Sequence, residues 1–90
     1  MLVALTARDK PNSLAIRMEP RPAHVAYLKA TPAVQMAGPL LSDAGEMCGS
    51  LIVLDVETMA EAEAFAAGDP YAKAGLFESV TLDAWNRVIG

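Results

Sequence analysis

Residues 48–67 read CGSLIVLDVETMAEAEAFAA, and this stretch predicts a strand that leads directly into a helix. The apolar run LIVL at its centre is typical of a strand that is buried on both faces. Thr58 and Glu61 then match a capping box, in which the threonine side chain accepts from the backbone three residues later. We expect the helix MAEAEAFAA to begin at that cap and to end at Gly68.

The segments on either side extend this unit into an α+β fold. They predict, in chain order, a strand at MLVALTA (1–7), a helix from Pro22 to Ala30, a strand at QMAGPLL (35–41), a short helical turn at PYAKA (70–74) and a closing strand at LFESVTLDAW (76–85). The turn SDAGEM joins QMAGPLL and CGSLIVLDV into a hairpin. This order is that of a ferredoxin-like βαββαβ antiparallel sheet with both helices on one face. We expect residues 1–90 to form a single domain.

Proline and serine mark several element ends. Pro22 suits the first position of its helix, and Thr31 followed by Pro32 is expected to end that helix. Ser13 is a candidate cap for a short turn at LAIRM. Pro39 requires an edge or bulge position, because it cannot donate to a strand ladder.

The sheet is expected to have an apolar face that no helix covers. LIVL is apolar on both sides of its strand, and we expect Met36, Leu40, Val80 and Leu82 to extend the uncovered surface. Such a face is unfavourable in water. Packing two sheets face to face about a two-fold axis would bury it, so the sequence predicts a homodimer.

Charge and composition exclude several classes of protein. The formal net charge is −4 and no Lys/Arg cluster is present, which argues against nucleic acid as a partner. LIVL is far shorter than the ~20 apolar residues of a membrane helix, and the first residues lack the features of a signal peptide. Cys48 is the single cysteine, which fits a reducing, cytoplasmic compartment. One histidine and scattered carboxylates are too few for a metal site, so we expect neither a metal nor another cofactor.

The single histidine, His24, lies in the first turn of its predicted helix. The positive end of the helix dipole disfavours imidazolium there, which suits a neutral ring acting as a general base. A lone histidine at a helix start is, however, more often a surface or capping residue. Asp69 before Pro70 is an ordinary helix cap as well. Spacing alone does not bring two residues 45 positions apart into contact.

Three stretches together resemble the YCII-related (YciI-like) family: RPAHVAYL, AGPLLSDAGEMCGS and AAGDPYAKAGLFESV, which cover roughly residues 20 to 85. The resemblance implies a dimeric α+β barrel and a site built around one histidine and one aspartate, which match His24 and Asp69. A carboxylate that orients an imidazole base is the minimum set for proton abstraction. Val25 and Tyr71 stand where leucine and phenylalanine are commoner in such chains, which implies a different pocket shape.

Four further residues are candidates for substrate binding. Arg8, at the end of the first strand, is suited to an anionic or enolate-like oxygen, although a strand-end arginine is usually a solvated charge. Gly38 and Pro39 shape the backbone of the second strand, and Tyr71 follows the Asp69 cap.

Other reactive residue types give weaker signals. Arg21 either faces solvent or fixes the loop before the histidine. Cys48 opens an apolar strand, where a cysteine is usually a small buried hydrophobe. Ser42 and Ser50 lack the sequence context of a nucleophile elbow.

Two functional classes therefore stand. The first is a cofactor-independent enzyme in which His24 and Asp69 assist proton transfer, in an elimination (lyase) or isomerisation of a small hydroxylated or aromatic metabolite. The second is a non-catalytic homodimeric module that binds a small molecule or serves a structural role. A cleft lined by the two residues within hydrogen-bond reach would favour the enzyme.

Overall fold

Eight regular elements follow one another along residues 1–90, all of which the computed structural model describes. They are β1 (Leu2–Asp9), α1 (Leu14–Met18), α2 (Arg21–Ala30), β2 (Val34–Leu41), β3 (Met47–Asp55), α3 (Met59–Gly68), α4 (Pro70–Lys73) and β4 (Phe77–Trp85). The α+β class and the predicted element order are confirmed. No helix combines the length and the apolar character needed to cross a bilayer.

The four strands form one antiparallel sheet in the order β2-β3-β1-β4. This is the ferredoxin-like order, with the two most buried strands, β3 and β1, at the centre. Val3, Leu5 and Ala7 alternate along β1 and are buried under the helices. Their partners on β3 include Ile52, opposite Leu5, and Leu54, opposite Val3. The core therefore lies between the central strands and the helical layer.

The start of α3 confirms most of the predicted capping box. The Thr58 hydroxyl accepts from the Glu61 backbone N–H at 3.3 Å. The Glu61 carboxylate reaches one residue further back than the standard box, and accepts from the Glu57 backbone N–H at 2.9 Å. Ala62 and Phe65 of this helix are buried in the core. The cap thus fixes the helix that covers the sheet centre.

The loop before α1 differs from its sequence prediction. LAIRM forms a five-residue helix, but the Ser13 side chain does not cap it. The Ser13 hydroxyl instead donates to the Pro11 carbonyl at 3.3 Å, which holds the turn after β1. The helix is anchored by Arg17, its one buried residue.

The face of the sheet opposite the helices, called the open face below, carries Met36, Leu40 and Leu51. Met36 is 50% exposed and Leu51 is 40% exposed. Val80 and Leu82 were wrongly predicted to extend this face: they pair with Ala7 and Leu5, so they point to the helical side. The two-sided apolar character of LIVL is confirmed, because its neighbouring residues alternate between the faces.

One glycine in each of the paired strands β2 and β3 provides a test of packing. A Cβ on Gly49 would collide with the carbonyl oxygen of Ala7 in β1, whereas a Cβ on Gly38 would meet nothing within 4 Å. We expect Gly49→Ala to lower the free energy of unfolding by about 1–3 kcal/mol, the usual cost of overpacking. Gly38→Ala should change it by less than ~0.5 kcal/mol. Urea unfolding of both variants makes the comparison, and equal losses would contradict this packing.

Candidate active site

Two helix starts meet at one carboxylate. Asp69 is the N-cap of α4, and its Oδ1 accepts from the Tyr71 backbone N–H at 2.9 Å. The same oxygen lies 2.7 Å from Nδ1 of His24, which projects from the first turn of α2. Both side chains are buried, with His24 6% exposed and Asp69 2% exposed. Asp69 is therefore a cap and a partner of the histidine at once.

The hydrogen bond to Asp69 fixes the orientation of the imidazole. A carboxylate oxygen can only accept, so Nδ1 of His24 carries the proton in this pair. In the neutral ring, Nε2 then holds the free lone pair. His24 lines a cavity. The Nδ1 nitrogen of His24 is therefore turned toward Asp69, and Nε2 has no hydrogen-bond partner within the chain.

Tyr71 fixes the plane of the same imidazole. Its ring stacks on His24 with centroids 3.8 Å apart and an interplanar angle of 16°. The Arg17 guanidinium lies over the Tyr71 ring, with Cζ 4.5 Å from the ring centroid. Phe77 meets Tyr71 edge-on at 6.0 Å. The histidine thus rests on a tyrosine that is itself held from two further directions.

Arg17 is a central residue that the sequence reasoning missed. Its Nε and Nη2 donate to the Asp9 carboxylate at 2.7 and 2.8 Å, and Nη2 also donates to Ser50 Oγ at 3.0 Å. Burial alone would lower the pKa of Arg17, but the hydrogen bonds and negative charge of Asp9 raise it above its ordinary value. No local pattern marks an arginine in a five-residue helix as buried, so the sequence held no usable signal for it.

Tyr27 and Gly68 set the distance between α2 and the end of α3. The Tyr27 hydroxyl donates to the Phe65 carbonyl at 2.9 Å, and the two rings stack with centroids 5.1 Å apart. A Cβ on Gly68 would lie only 2.5 Å from the Tyr27 hydroxyl oxygen. A glycine at this point lets α2 approach closely enough for Asp69 to reach His24.

The cavity has a volume of about 530 Å³ and lies between α2 and the strands β2 and β3. Of the residues proposed for substrate binding, Gly38, Pro39 and Tyr71 line it. Arg8 does not: it pairs with Gly49 and Ser79 and projects from the open face. The structure thus brings three of the four candidates to the histidine.

The other reactive residues named in the sequence analysis divide between two cavities. Arg21 and Ser50 line the same cavity. Cys48 and Ser42 line a separate, smaller depression beside the β2-β3 turn. Cys48 is thus not in position to pair with the histidine of the main cavity.

Comparison with known sequences identifies relatives that span nearly the whole chain. The family model of the YCII-related domain matches residues 1–86. Protein YciI of Escherichia coli O6:H1 is 33% identical, over 98% of this chain and 99% of that protein. An uncharacterised protein from Haemophilus influenzae is 31% identical over the same shares.

Comparison with solved structures gives a similar result. The 5-chloro-2-hydroxyhydroquinone dehydrochlorinase TftG of Burkholderia phenoliruptrix, in complex with 2,5-dihydroxybenzoquinone, superposes with a TM-score of 0.87 at 35% identity. The match covers 96% of this chain and 94% of TftG. An antibiotic biosynthesis monooxygenase, at 12% identity and a TM-score of 0.61, shares the fold alone.

The two tyrosines of the site region predict how stability depends on alkaline pH. Burial and the charge of Asp69 raise the pKa of Tyr27 above its ordinary value of 10.0. Burial also raises the pKa of Tyr71, and outweighs Arg17 and Arg21, whose charges lower it. The folded chain therefore holds these protons more tightly than the unfolded chain does. Their contribution to stability is complete below pH 10.0 and falls as pH rises through the folded pKa values.

Ultraviolet absorbance of tyrosinate measures this difference directly. At pH 10.0, where unfolded tyrosine is half ionised, we expect the native protein to show clearly less than half of its tyrosinate signal. Tyr27→Phe and Tyr71→Phe should each remove one titration step. Coincident titration curves for the native and urea-unfolded chain would contradict the burial of both phenols.

Proposed function

The chain belongs to the YCII-related family, and on that premise we propose that it is a cofactor-independent enzyme of the lyase type. His24 acts as the general base of an elimination on a small hydroxylated aromatic or quinonoid compound. The observation that carries this proposal is the 2.7 Å contact between His24 Nδ1 and Asp69 Oδ1 at the wall of a cavity. The likeness to a dehydrochlorinase at 35% identity supports the reaction class.

The proposed step is a proton transfer coupled to loss of a leaving group. Nε2 of His24 takes a proton from the substrate, the electron pair left behind forms a new double bond, and the leaving group departs with its bonding pair. Asp69 stabilises the imidazolium that forms. The imidazolium then returns its proton to solvent, so the enzyme is restored and the products are an unsaturated compound and the protonated or anionic leaving group.

The surroundings of His24 support this role because they limit its movement. The Tyr71 ring, stacked on the imidazole, and the Asp69 carboxylate, in contact with Nδ1, both restrain the orientation of the imidazole. A base held in one orientation reacts without first losing rotational freedom. Arg17 is a positioning residue for the His24 imidazole, because its guanidinium lies over the Tyr71 ring that stacks on His24.

The substitution Asp69→Asn separates the two tasks of Asp69. Asparagine caps helices well, and its side-chain oxygen can still accept from Tyr71, so the fold should persist. The charge that stabilises imidazolium is lost. We expect turnover of 5-chloro-2-hydroxyhydroquinone, followed by absorbance, to fall by about 10²–10⁴ in Asp69→Asn and in His24→Ala. Asp43→Asn, in an exposed turn, is the matched control and should keep wild-type turnover.

Two results would decide against the enzyme. Turnover in Asp69→Asn within about threefold of wild type would remove the carboxylate from the mechanism. A wild-type chain that binds 2,5-dihydroxybenzoquinone, but turns over neither 5-chloro-2-hydroxyhydroquinone nor related hydroxylated aromatics, would be a ligand-binding module instead.

We further propose that residues 1–90 act as one domain that forms a homodimer through the open face. Leu51, on the central strand β3, and Met36, on the edge strand β2, expose apolar side chains on a sheet face that no helix covers. A second copy, related by a two-fold axis, offers the same apolar surface and buries both at once. A cytoplasmic setting completes the proposal, because the single cysteine is a free thiol of the kind that a reducing compartment maintains.

A charge in the middle of the open face tests the dimer. Leu51→Glu would place a carboxylate between the two packed sheets, where its desolvation is strongly unfavourable. We expect light scattering to change from about 19 kDa, twice the 9.5 kDa chain, to the monomer mass. Ile16→Glu is the control, since Ile16 is 44% exposed on α1 in the helical layer. A wild-type chain that scatters as a monomer at micromolar concentration would contradict the proposal.

A further inference from the structure

We propose that the cavity beside His24 contains a second, apolar compartment that binds a hydrophobic substituent of the substrate. The residues that form this apolar compartment are Val25, Leu28, Pro32, Val34 and Ala37. The inference rests on the proposed function and extends it by naming the substrate class, a hydroxylated aromatic compound that carries an alkyl chain or a second ring. Three observations carry it: the length of the cavity, the separation of polar from apolar side chains along it, and the satisfied backbone donors at its apolar end.

The polar side chains of the cavity gather at one end. Arg17 donates to Ser50 at 3.0 Å and lies over the Tyr71 ring. That ring stacks on His24. Arg21 lies in the same first turn of α2 as the histidine, and all of these residues line the cavity. The reacting part of a substrate therefore belongs at this end, where the imidazole is.

The cavity extends well beyond its polar end, along β2. Pro39 pairs with Ser50 at the polar end, whereas Val34, at the start of β2, lines the other end. The two positions are five apart in the sequence, which corresponds to about 15 Å along a strand. The volume of about 530 Å³ also lies in the range of sites that hold drug-sized ligands. A substrate with a single six-membered ring would therefore leave part of the cavity empty.

Apolar side chains line the cavity away from the polar end. Leu28 lies one turn beyond His24 along α2, about 6 Å further along the helix axis. On the opposite wall, Ala37 of β2 pairs with Ile52 of β3. Both side chains lie on the helical face of the sheet, because Ile52 also pairs with the buried Leu5. The apolar compartment is thus apolar on its helix wall and on its strand wall.

The backbone donors at the far end of the apolar compartment already have acceptors. The Thr31 N–H donates to the Leu28 carbonyl at 3.2 Å, and the Val34 N–H donates to the Thr31 carbonyl at 3.1 Å. Pro32 has no N–H, and the Thr31 hydroxyl donates to the Tyr27 carbonyl at 2.8 Å. A polar substituent would lose hydrogen bonds to water here without gaining replacements from these groups, whereas an apolar substituent has none to lose.

Much of the apolar compartment is open to solvent in the chain alone. Pro32 and Ala37 are exposed, and Val25 and Leu28 are half-buried. The cation beside them, Lys29, is exposed in the last turn of α2, where its charge favours the helix dipole, so folding explains its position. An apolar substituent would remove its own surface and this wall from water together. Each buried methylene should raise the affinity about fourfold.

A series of alkylated probes tests the apolar compartment without turnover. The probes are hydroquinone and its methyl, propyl and pentyl derivatives, which share one ring and differ only in the substituent. Isothermal titration calorimetry under nitrogen should show pentylhydroquinone binding at least about thirtyfold more tightly than hydroquinone. The imidazole NMR signals of His24, the single histidine, should shift with both probes, because the ring of each probe lies at the polar end.

Filling the apolar compartment from either wall should remove this preference. Ala37→Phe inserts a ring from β2, and Val25→Phe inserts one from α2. In both variants pentylhydroquinone should bind within about fivefold of hydroquinone, while the affinity for hydroquinone itself changes less than about threefold. Ala26→Phe is the matched control, because Ala26 is exposed on α2 outside the cavity, and it should keep the wild-type preference.

Equal affinity across the alkyl series, or no binding of any member, would overturn the inference. A preference for pentylhydroquinone that survives both phenylalanine variants, or that leaves the His24 signals unshifted, would overturn it too, because the alkyl chain would then bind elsewhere. These outcomes are separate from catalysis. An alkyl preference in an inactive protein would reject the proposed function and leave the apolar compartment standing. Turnover of 5-chloro-2-hydroxyhydroquinone by a chain without that preference would do the reverse.

Discussion

One oxygen atom organises this site. Oδ1 of Asp69 accepts from the Tyr71 backbone and contacts Nδ1 of His24, so it starts α4 and orients a side chain of α2 simultaneously. The cap places the Tyr71 ring directly after it, and that ring is the one that stacks on His24. The start of α4 and the orientation of the His24 imidazole therefore depend on the same few atoms. A change that removes this oxygen disturbs both.

The ion pair between Arg17 and Asp9 supports the Tyr71 ring, on which His24 stacks. Arg17 and Asp9 are 2% and 5% exposed at their side chains, so both charges are removed from water. Ion pairs buried to this extent contribute little net stability, but loss of one partner leaves a costly unpaired charge. The ion pair instead fixes the relative positions of several elements, because Arg17 connects the end of β1 with Ser50 on β3 and with Tyr71 on α4. The polar cluster thereby fixes the helical layer relative to the sheet.

The parts of the fold that the sequence predicted are those with local signals. The capping box at Thr58, the proline at the start of α2 and the apolar run of β3 each act within a few residues. The faces of Val80 and Leu82 were predicted wrongly because they depend on the register of β4 against β1, which no local pattern states. The register also shifts near Arg8, at the far end of the same pair of strands.

The candidate site also depends on contacts between residues that are distant in sequence, which local patterns do not predict. His24 and Asp69 were singled out by a family resemblance, and their contact spans 45 residues that only the folded chain brings together. Arg17 was missed because its partners Asp9 and Ser50 lie 8 and 33 residues away on other elements. A strand-end arginine is suited to an anionic oxygen, but strand alternation places Arg8 on the open face, away from the cavity.

The edge strand β2 has a consequence for how molecules of this protein meet. β2 contains Pro39, which has no N–H to offer, and its pairing with β3 shifts register at two points. Proline and bulges on an edge strand hinder the addition of a further strand from another molecule. The apolar surface of the sheet can be shared face to face, whereas this edge resists lateral growth. The protein thus combines an exposed apolar face with an edge that opposes fibre-like aggregation.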